Sequence, residues 1–112
     1  MAYEHSLIAL ADPTRRELLE RLARRDHTVG ELASLTHVSQ PAVSQHLRVL
    51  RHAHLVTIRP EGTRRYYRAN REGLIHLRQY LEAMWDDVLA AYATDDPEPS
   101  KKPEPQKRKR KR

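Results

Sequence analysis

Hydrogen-bonding side chains recur along one short stretch of the sequence, residues 39–53, SQPAVSQHLRVLRHA. Its polar positions carry amide, hydroxyl, guanidinium and imidazole groups and no carboxylate, and they are Gln40, Ser44, Gln45, Arg48 and His52. A glutamine amide matches the N6 and N7 edge of adenine, and arginine matches guanine or a phosphate. A surface that carries these groups and no acid is therefore suited to contact base edges and phosphates.

The residues at the start of this stretch indicate that it is a helix. The hydroxyl of Ser39 can accept an amide proton of the first helical turn, and Pro41 falls in that turn, where its missing N–H costs little. Val43, Leu47 and Leu50 recur at the intervals i, i+4 and i+7, which predicts one narrow apolar stripe. On this stretch alone, an ordinary amphipathic surface helix explains the pattern equally well.

The segment before the polar helix favours a helix-turn-helix. Residues 28–35 are predicted to form a short helix, because Thr28 and Glu31 have the spacing of a capping box. Thr36, His37 and Val38 then form the predicted turn before Ser39. The polar helix is therefore the second helix of the motif, which is the one that reads DNA in such proteins.

A basic hairpin is predicted directly after the polar helix. Leu55–Arg59 and Thr63–Arg68 are rich in β-branched and aromatic residues, and Pro60-Glu61-Gly62 joins them with a glycine suited to a tight turn. Such a hairpin completes a winged helix-turn-helix, in which the wing follows the phosphate backbone or reaches into the minor groove. The predicted wing contacts are Arg59, Arg64 and Arg65, and the alternative is a hairpin that only covers the core.

Three further helices complete the prediction. The first spans Glu4 to Ala11, and the second begins with Asp12 as N-cap and Pro13 in its first turn and ends near Arg24. The last begins after Asn70 as N-cap and runs from Arg71 to about Ala93. Its apolar residues are spaced 3, 4, 3 and 4 apart, which is the seam spacing of a coiled coil.

Apolar residues of the first and last helices predict a dimer. A domain of this size has too little core to cover both stripes, and an exposed apolar patch usually marks an interface. The alternative is that both helices close the core of the monomer. The predicted interface residues are Leu7, Ile8, Leu74, Leu77, Leu81, Met84, Trp85 and Val88.

Three segments together resemble the ArsR-type family of bacterial winged-helix repressors. They are LADPTRRELLERL, ELASLTHVSQPAVSQHLRVLRHAHLV and RPEGTRRYYRAN, and the resemblance covers about residues 4 to 93. Its most specific part is SQPAVSQHLRVL, followed at a fixed distance by LV and an arginine-rich glycine turn. The resemblance implies a mainly α-helical winged helix-turn-helix fold with a small β-hairpin, repression through double-stranded DNA, and dimerisation through the first and last helices.

The resemblance also identifies positions at which many such regulators bind metal ions. Where they place cysteines in the helix before the turn, the matching residues are Thr28, Gly30 and Ala33. Where others place ligands on the last helix, the matching residues are Arg71, Gly73, Met84 and Asp87, and only the last is a metal-binding type. We therefore expect neither metal site and no cofactor, although seven histidines leave an unfamiliar histidine site between subunits as an alternative.

Positive charge is concentrated in two parts of the sequence. The net charge is +6, of which residues 1–94 carry +2 and residues 95–112 carry +4. Every lysine lies after residue 94, whereas the basic residues before it are all arginine. Around the polar helix and hairpin, Glu61 is the only acid in a span that contains Arg48, Arg51, Arg59, Arg64, Arg65, Arg68 and Arg71. This sorting is typical of nucleic-acid binding.

Composition excludes several other classes of protein. The absence of cysteine rules out disulfides, thiolate zinc sites and cysteine redox sensing, and it fits a cytoplasmic, nucleoid-associated protein. No apolar run approaches the roughly 18 residues of a membrane span, and the N-terminus lacks a signal pattern. No phosphate-binding glycine loop, cysteine nucleophile or Ser/His/Asp set suggests an enzyme.

These observations predict a DNA-binding and dimerisation domain over residues 1–94 and a disordered basic tail over residues 95–112. The tail is interpreted as a flexible phosphate-binding arm, a nuclear-localisation-like run or a solubilising extension. The predicted DNA contacts are Ser39, Gln40, Ser44, Gln45, His46, Arg48, Arg59, Arg64 and Arg65. The main prediction is a sequence-specific repressor on a pseudo-palindromic operator, and the alternative is a module that binds DNA without sequence preference.

Overall fold

The computed structural model describes residues 2–95 of the chain, with side chains from residue 4 to residue 93. Within that range the elements are α1 (Ala2–Ala9), α2 (Pro13–Arg24), α3 (Val29–Thr36), α4 (Gln40–His52), β1 (Val56–Glu61), β2 (Arg64–Ala69) and α5 (Arg71–Asp95). The two strands form an antiparallel sheet, so the predicted fold class is confirmed. From residue 96 onward, the predicted tail lies outside the described residues.

Apolar side chains of α2, α3, α4 and the segment entering β1 form the core. The largest fully buried side chains are Leu18, Leu32, Leu47, Leu50, Leu55 and Val43. Burial of a leucine or valine side chain contributes roughly 1.5–3 kcal/mol. The predicted apolar stripe of α4 is thereby confirmed as its buried face, and this stripe determines which side of α4 remains in solvent.

Side-chain caps determine where α2, α3 and α4 begin. Asp12 accepts two amide hydrogens of α2 at 2.8 and 3.1 Å. Thr28 and Glu31 form the predicted capping box, with 3.1 Å in each direction. Ser39 caps α4 by accepting an amide hydrogen at 3.3 Å. Because these groups satisfy amides that have no partner within the helix, the predicted starts are confirmed.

The first helix ends earlier than predicted. It was expected to continue to Ala11, but α1 ends at Ala9 and the next two residues form a turn. Guanidinium groups of α2 bind the carbonyls released there, since Arg15 Nε donates to Ala9 O at 2.7 Å and Arg16 Nη1 donates to Leu10 O at 2.8 Å. These bonds replace the helical hydrogen bonds that a longer α1 would have made.

The hairpin is longer than predicted and its turn is tighter. Glu61 pairs with Arg64, so Pro60 and Glu61, which we expected in the loop, belong to β1. The turn consists of Gly62 and Thr63, and Gly62 has a φ of +64°, a conformation that glycine adopts without strain. Pro60 is tolerated because β1, to which it belongs, is an edge strand of the sheet.

A close backbone approach joins the start of α5 to the end of α4. A β-carbon at Gly73 would collide with the carbonyl oxygen of His54, so only glycine fits. The side-chain amide of Asn70, which we expected to cap α5, donates to the same carbonyl at 2.8 Å. Asn70 directly precedes α5, as predicted, but its side-chain amide links α5 to the segment after α4.

Within the described residues, the chain divides in α5 into two units, one that ends at Tyr80 and one that begins at Leu81. The first contains every element up to and including the first part of α5. The described part of the second is the remainder of α5. Leu77 is 5% exposed and belongs to the core of the first unit, which corrects the expectation that it lies at a dimer interface.

Large apolar side chains are exposed in each unit. In the first unit, Leu7 is 41% and Ile8 is 62% exposed. In the second, the exposed apolar residues of α5 are Met84, Trp85, Val88, Leu89 and Tyr92. The predicted interface residues of α1 and of this part of α5 are thus largely in solvent in the single chain. No helix of the described part is long and apolar enough to cross a membrane.

Candidate nucleic-acid interface

The exposed side of α4 presents hydrogen-bonding side chains with no partner inside the described part of the chain. This polar row consists of Gln40, Ser44, Gln45 and Arg48, all of which are exposed. Within residues 4–93, no hydrogen bond or ion pair joins their side chains to another residue. Their donors and acceptors are therefore available to a ligand, and α4 has the dimensions to enter a major groove.

The segment of the sequence that contains the polar row has no acidic residue. No Asp or Glu occurs in the sequence between Glu31 and Glu61. Glu31 is bound by the amide of Thr28, which lowers the pKa of its carboxyl, and its Oε1 lies 3.2 Å from the ring of His27. Glu61 accepts from Arg59 at 3.0 Å. The two carboxylates that flank this segment in sequence are therefore both paired, which leaves the row compatible with a polyanion.

Two predicted phosphate contacts on α4 have different environments. Ser39 is exposed, and although its oxygen accepts from the amide of Ala42, its own O–H proton remains available to donate. His46 is half-buried, and its Nδ1 lies 3.4 Å from Nη1 of Arg15 on α2. The structure thus brings Ser39 together with the polar row and places His46 in the contact between α2 and α4.

Arg64 and Arg65 are exposed beside the turn of the wing, as expected. A hydrogen bond with Tyr66 raises the pKa of Arg64. Arg65 has no side-chain partner among the described residues, and both arginines line a concavity of about 550 Å³ with the first residues of α3, including Gly30. The wing and the start of α3 therefore form one concave surface, which is lined by these two arginines and by Glu31.

Arg59 differs from the other predicted wing contacts. It lies away from the turn, opposite Tyr66, and its guanidinium stands 4.9 Å from the centre of that ring. Its Nη1 donates to Glu61 at 3.0 Å and its Nε donates to Asp26 at 3.2 Å, and these two carboxylates raise its pKa. The contact of Arg59 with DNA stays a prediction, and in the single chain this cation is already paired with two carboxylates.

Sequence reasoning missed the residues that attach the wing to the body. His27 and Tyr67 exchange two backbone hydrogen bonds, with the N–H of His27 donating at 3.1 Å and that of Tyr67 at 2.7 Å. The segment before α3 thus pairs with β2. His27 is 5% exposed. No local signal marks this pairing, because it joins segments that are far apart in sequence.

Within the described residues, no group of three or more His, Cys, Asp or Glu side chains is arranged to hold a metal ion. At two of the positions that the resemblance relates to metal ligands of other regulators, the residues have structural roles in this chain. Thr28 caps α3, and Gly73 permits the close approach between α4 and α5. The absence of a cofactor remains a prediction.

The fold and the polar row define a winged helix-turn-helix protein that binds DNA. The family described as "Bacterial regulatory protein, arsR family" matches residues 12–57. The HTH-type transcriptional regulator Rv2034 of Mycobacterium tuberculosis is 54% identical over 85 residues, which are 76% of this chain and 79% of that protein. The chain belongs to the arsR family of bacterial regulatory proteins, which are transcriptional regulators and not enzymes.

Solved structures agree with this assignment. An ArsR-like transcriptional regulator from Rhodococcus sp. RHA1 superposes with a TM-score of 0.73 at 34% identity, covering 85% of this chain and 92% of that chain. The homodimeric winged helix-turn-helix DNA-binding domain Mb0332 from Mycobacterium bovis, a possible ArsR-family regulator, gives 0.64 at 30% identity, covering 77% and 80%. The chain is therefore a sequence-specific DNA-binding transcriptional regulator, and these likenesses do not support the alternative of a non-specific module.

Proposed function

We propose that this chain is a homodimeric repressor that binds a pseudo-palindromic operator through α4. The polar row is the observation that carries the proposal, because its exposed amide, hydroxyl and guanidinium groups have no partners among the described residues. With α4 in the major groove, Gln40, Ser44, Gln45 and Arg48 contact base edges. Ser39, at the N-terminus of the helix, donates to a phosphate.

The wing supplies the second contact of each half-site. Arg64 and Arg65 flank its turn, and their exposure allows them to bind the phosphate backbone beside the groove that α4 occupies. Contacts of this kind orient the protein but carry no sequence information. The wing therefore adds affinity and register, whereas the polar row adds specificity.

A second copy of the chain covers the exposed apolar residues in this proposal. These residues are Leu7 and Ile8 of the first unit and Met84, Trp85 and Val88 of the second, and the half-buried Leu74 and Leu81 are included in the proposed interface. Their exposure in the single chain supports an interface, as does the homodimeric state of the Mycobacterium bovis domain. A two-fold dimer places its two α4 helices in successive major grooves, about 10 base pairs or a multiple apart.

The dimer acts in the cytoplasm, where it can reach the nucleoid. It represses transcription by occupying the operator. A bound dimer covers promoter DNA and thereby excludes the transcription machinery. The arsR family resemblance supports repression rather than activation. An inducer would act by lowering the affinity of the dimer for the operator.

Selection of bound sequences from random DNA by the purified full chain tests this proposal. We expect enrichment of an inverted repeat that competes successfully against excess genomic DNA. A variant with Gln40→Ala and Arg48→Ala should lose that enrichment, while Arg24→Ala on α2 should retain it. Binding without any enriched sequence would instead indicate the architectural alternative.

Sedimentation of the same sample should show a dimer at micromolar concentration, and a monomer would contradict the proposed assembly.

A further inference from the structure

Asp26 is an acidic residue beside the proposed DNA-binding wing, where charge alone would disfavour it. Its Oδ2 accepts from Nε of Arg59 at 3.2 Å, and its Oδ1 lies 3.9 Å from Nε of Arg68. Arg59 belongs to β1 and Arg68 to β2. One carboxylate from the segment before α3 therefore binds both strands of the hairpin.

The location of this carboxylate follows from the pairing of the segment before α3 with β2. His27 stands opposite Tyr67 in that antiparallel bridge, so the residue before His27 stands opposite Arg68. The register of the hairpin places Arg59 on the same face of the sheet as Arg68. Arg59 therefore reaches across β2, over an aromatic ring, to meet the carboxylate.

The exposure of these groups indicates what the contact does. The side chain of Asp26 is 27% exposed, while those of Arg59 and Arg68 are 42% and 51% exposed. Isolated ion pairs with this degree of exposure add little to the stability of a fold. The contact instead restricts the orientation of the hairpin, because two arginines from different strands share one partly buried carboxylate. The hairpin cannot tilt without separating at least one of these arginines from Asp26.

We propose that Asp26 is a positioning residue for DNA recognition, which orients the wing through Arg59 and Arg68. The inference rests on the proposed function and adds to it a specificity determinant outside α4. With the wing held at this angle, Arg64 and Arg65 meet phosphates while α4 lies in the groove. The same contact withholds Arg68, and together with Glu61 it withholds Arg59, from indiscriminate phosphate binding, so it favours the operator over other DNA.

Asp26→Asn tests the inference, because it removes the charge while keeping the size of the side chain. Glu17→Gln is the matched control, since Glu17 also pairs with an arginine, Arg21 at 3.4 Å, but does so within α2. For each full-length variant, dissociation constants are measured at two salt concentrations. The two probes are the operator selected from random DNA and a random-sequence duplex of the same length.

We expect Asp26→Asn to bind the operator about three- to tenfold more weakly, as loss of one or two partly exposed ion pairs allows. The random duplex should bind equally well or more tightly, because a negative charge has gone and Arg68 is released, while Arg59 keeps its pairing with Glu61. Asp26→Glu should recover part of the preference for the operator. In a variant that already carries Arg59→Gln and Arg68→Gln, Asp26→Asn should cause no further loss of affinity for the operator, since the contact no longer exists.

A parallel change for both DNAs would overturn the inference. Tighter binding to both would mean that Asp26 acts only through its charge, and equally weaker binding to both with a lower unfolding midpoint would mean that it only stabilises the fold. The unmutated chain tests the proposed function separately. If that chain shows no preference for any selected sequence, the proposed function fails before a variant is compared.

Discussion

Most side chains of α4 fall into two groups, those that pack in the core and those that are exposed without a hydrogen-bonding partner among the described residues. Val43, Leu47 and Leu50 are buried in the core, while Ser44 and Arg48 are exposed and make no hydrogen bond or ion pair with other described residues. Leaving such groups unpaired costs little in water, and it reserves them for DNA. Each can therefore be truncated to test recognition with little effect on the fold.

Arg48→Ala should weaken operator binding by about 1–3 kcal/mol and relax the preference at the base that Arg48 contacts. The reason is that one guanidinium can supply two hydrogen bonds to a guanine or a charged contact to a phosphate. Competition titrations with single-base operator variants provide the measurement. Arg24→Ala, which removes an exposed arginine from α2, is the control, and equal losses for the two variants would show that only net charge matters.

Gly73→Ala should lower the free energy of unfolding by about 1–3 kcal/mol or more, because its β-carbon meets the backbone carbonyl of His54. Gly30→Ala is the control. A β-carbon at Gly30 would find its nearest neighbours at ordinary contact distances of 3.7 and 3.9 Å, so this helical substitution should be neutral or stabilising. Urea unfolding of both variants checks the difference, and similar midpoints would disprove the close approach.

Among the elements, the hairpin depends most on contacts that are distant in sequence. Its turn and register follow from Gly62 and its flanking residues, but its attachment depends on the pairing of His27 with Tyr67 and on Asp26. The wing is thus held at its base, whereas Arg64 and Arg65 near its turn remain exposed. This arrangement suits an element that must present charge at a defined distance from α4.

Arg65→Gln should reduce the dependence of log K on log salt by about 0.9, the amount for one phosphate contact on duplex DNA. The loss of affinity should be similar for every sequence, because phosphate contacts carry no base information. Arg24→Gln, which makes the same substitution on α2, should leave the slope unchanged. A change in the ranking of operator variants would indicate that Arg65 reads bases.

For the whole molecule, assembly depends on the exposed apolar residues. Val88→Glu should yield monomers that remain folded, because Val88 is 48% exposed in the single chain and a charge there opposes burial against a second copy. Gln79→Glu introduces the same group nine residues earlier, on the opposite face of α5, and should leave the dimer intact. Sedimentation and circular dichroism distinguish dissociation from unfolding, and a dimeric Val88→Glu variant would contradict this interface.

The basic residues of the C-terminal run should bind phosphates. Deletion of residues 100–112 removes eight positive charges, of which about three to five would contact DNA at one time. The slope of log K against log salt should then become about 3–4 units less steep, while the order of preference among DNA sequences stays the same. An unchanged slope would show that the tail does not touch DNA, and an altered order would show that it reads bases.

Features that depend on neighbouring residues were determined by the sequence alone. The caps at Asp12, Thr28 and Ser39 and the buried stripe of α4 are examples, because capping groups act within one helical turn and amphipathic spacing repeats every few residues. The exposed polar row follows from the same periodicity. For this reason the class of fold and most of the proposed base contacts were predictable.

Features that depend on which distant segments meet were decided only by the tertiary structure. Arg59 was predicted from its place near the wing turn, which gave no sign that a carboxylate from another loop binds it, and Leu77 was predicted at a dimer interface, yet it is buried in the core. Gly73 carries no local signal, because its need for glycine arises from the carbonyl of His54. A side chain's partners depend on the path of the whole chain, and periodicity within one helix does not contain that information.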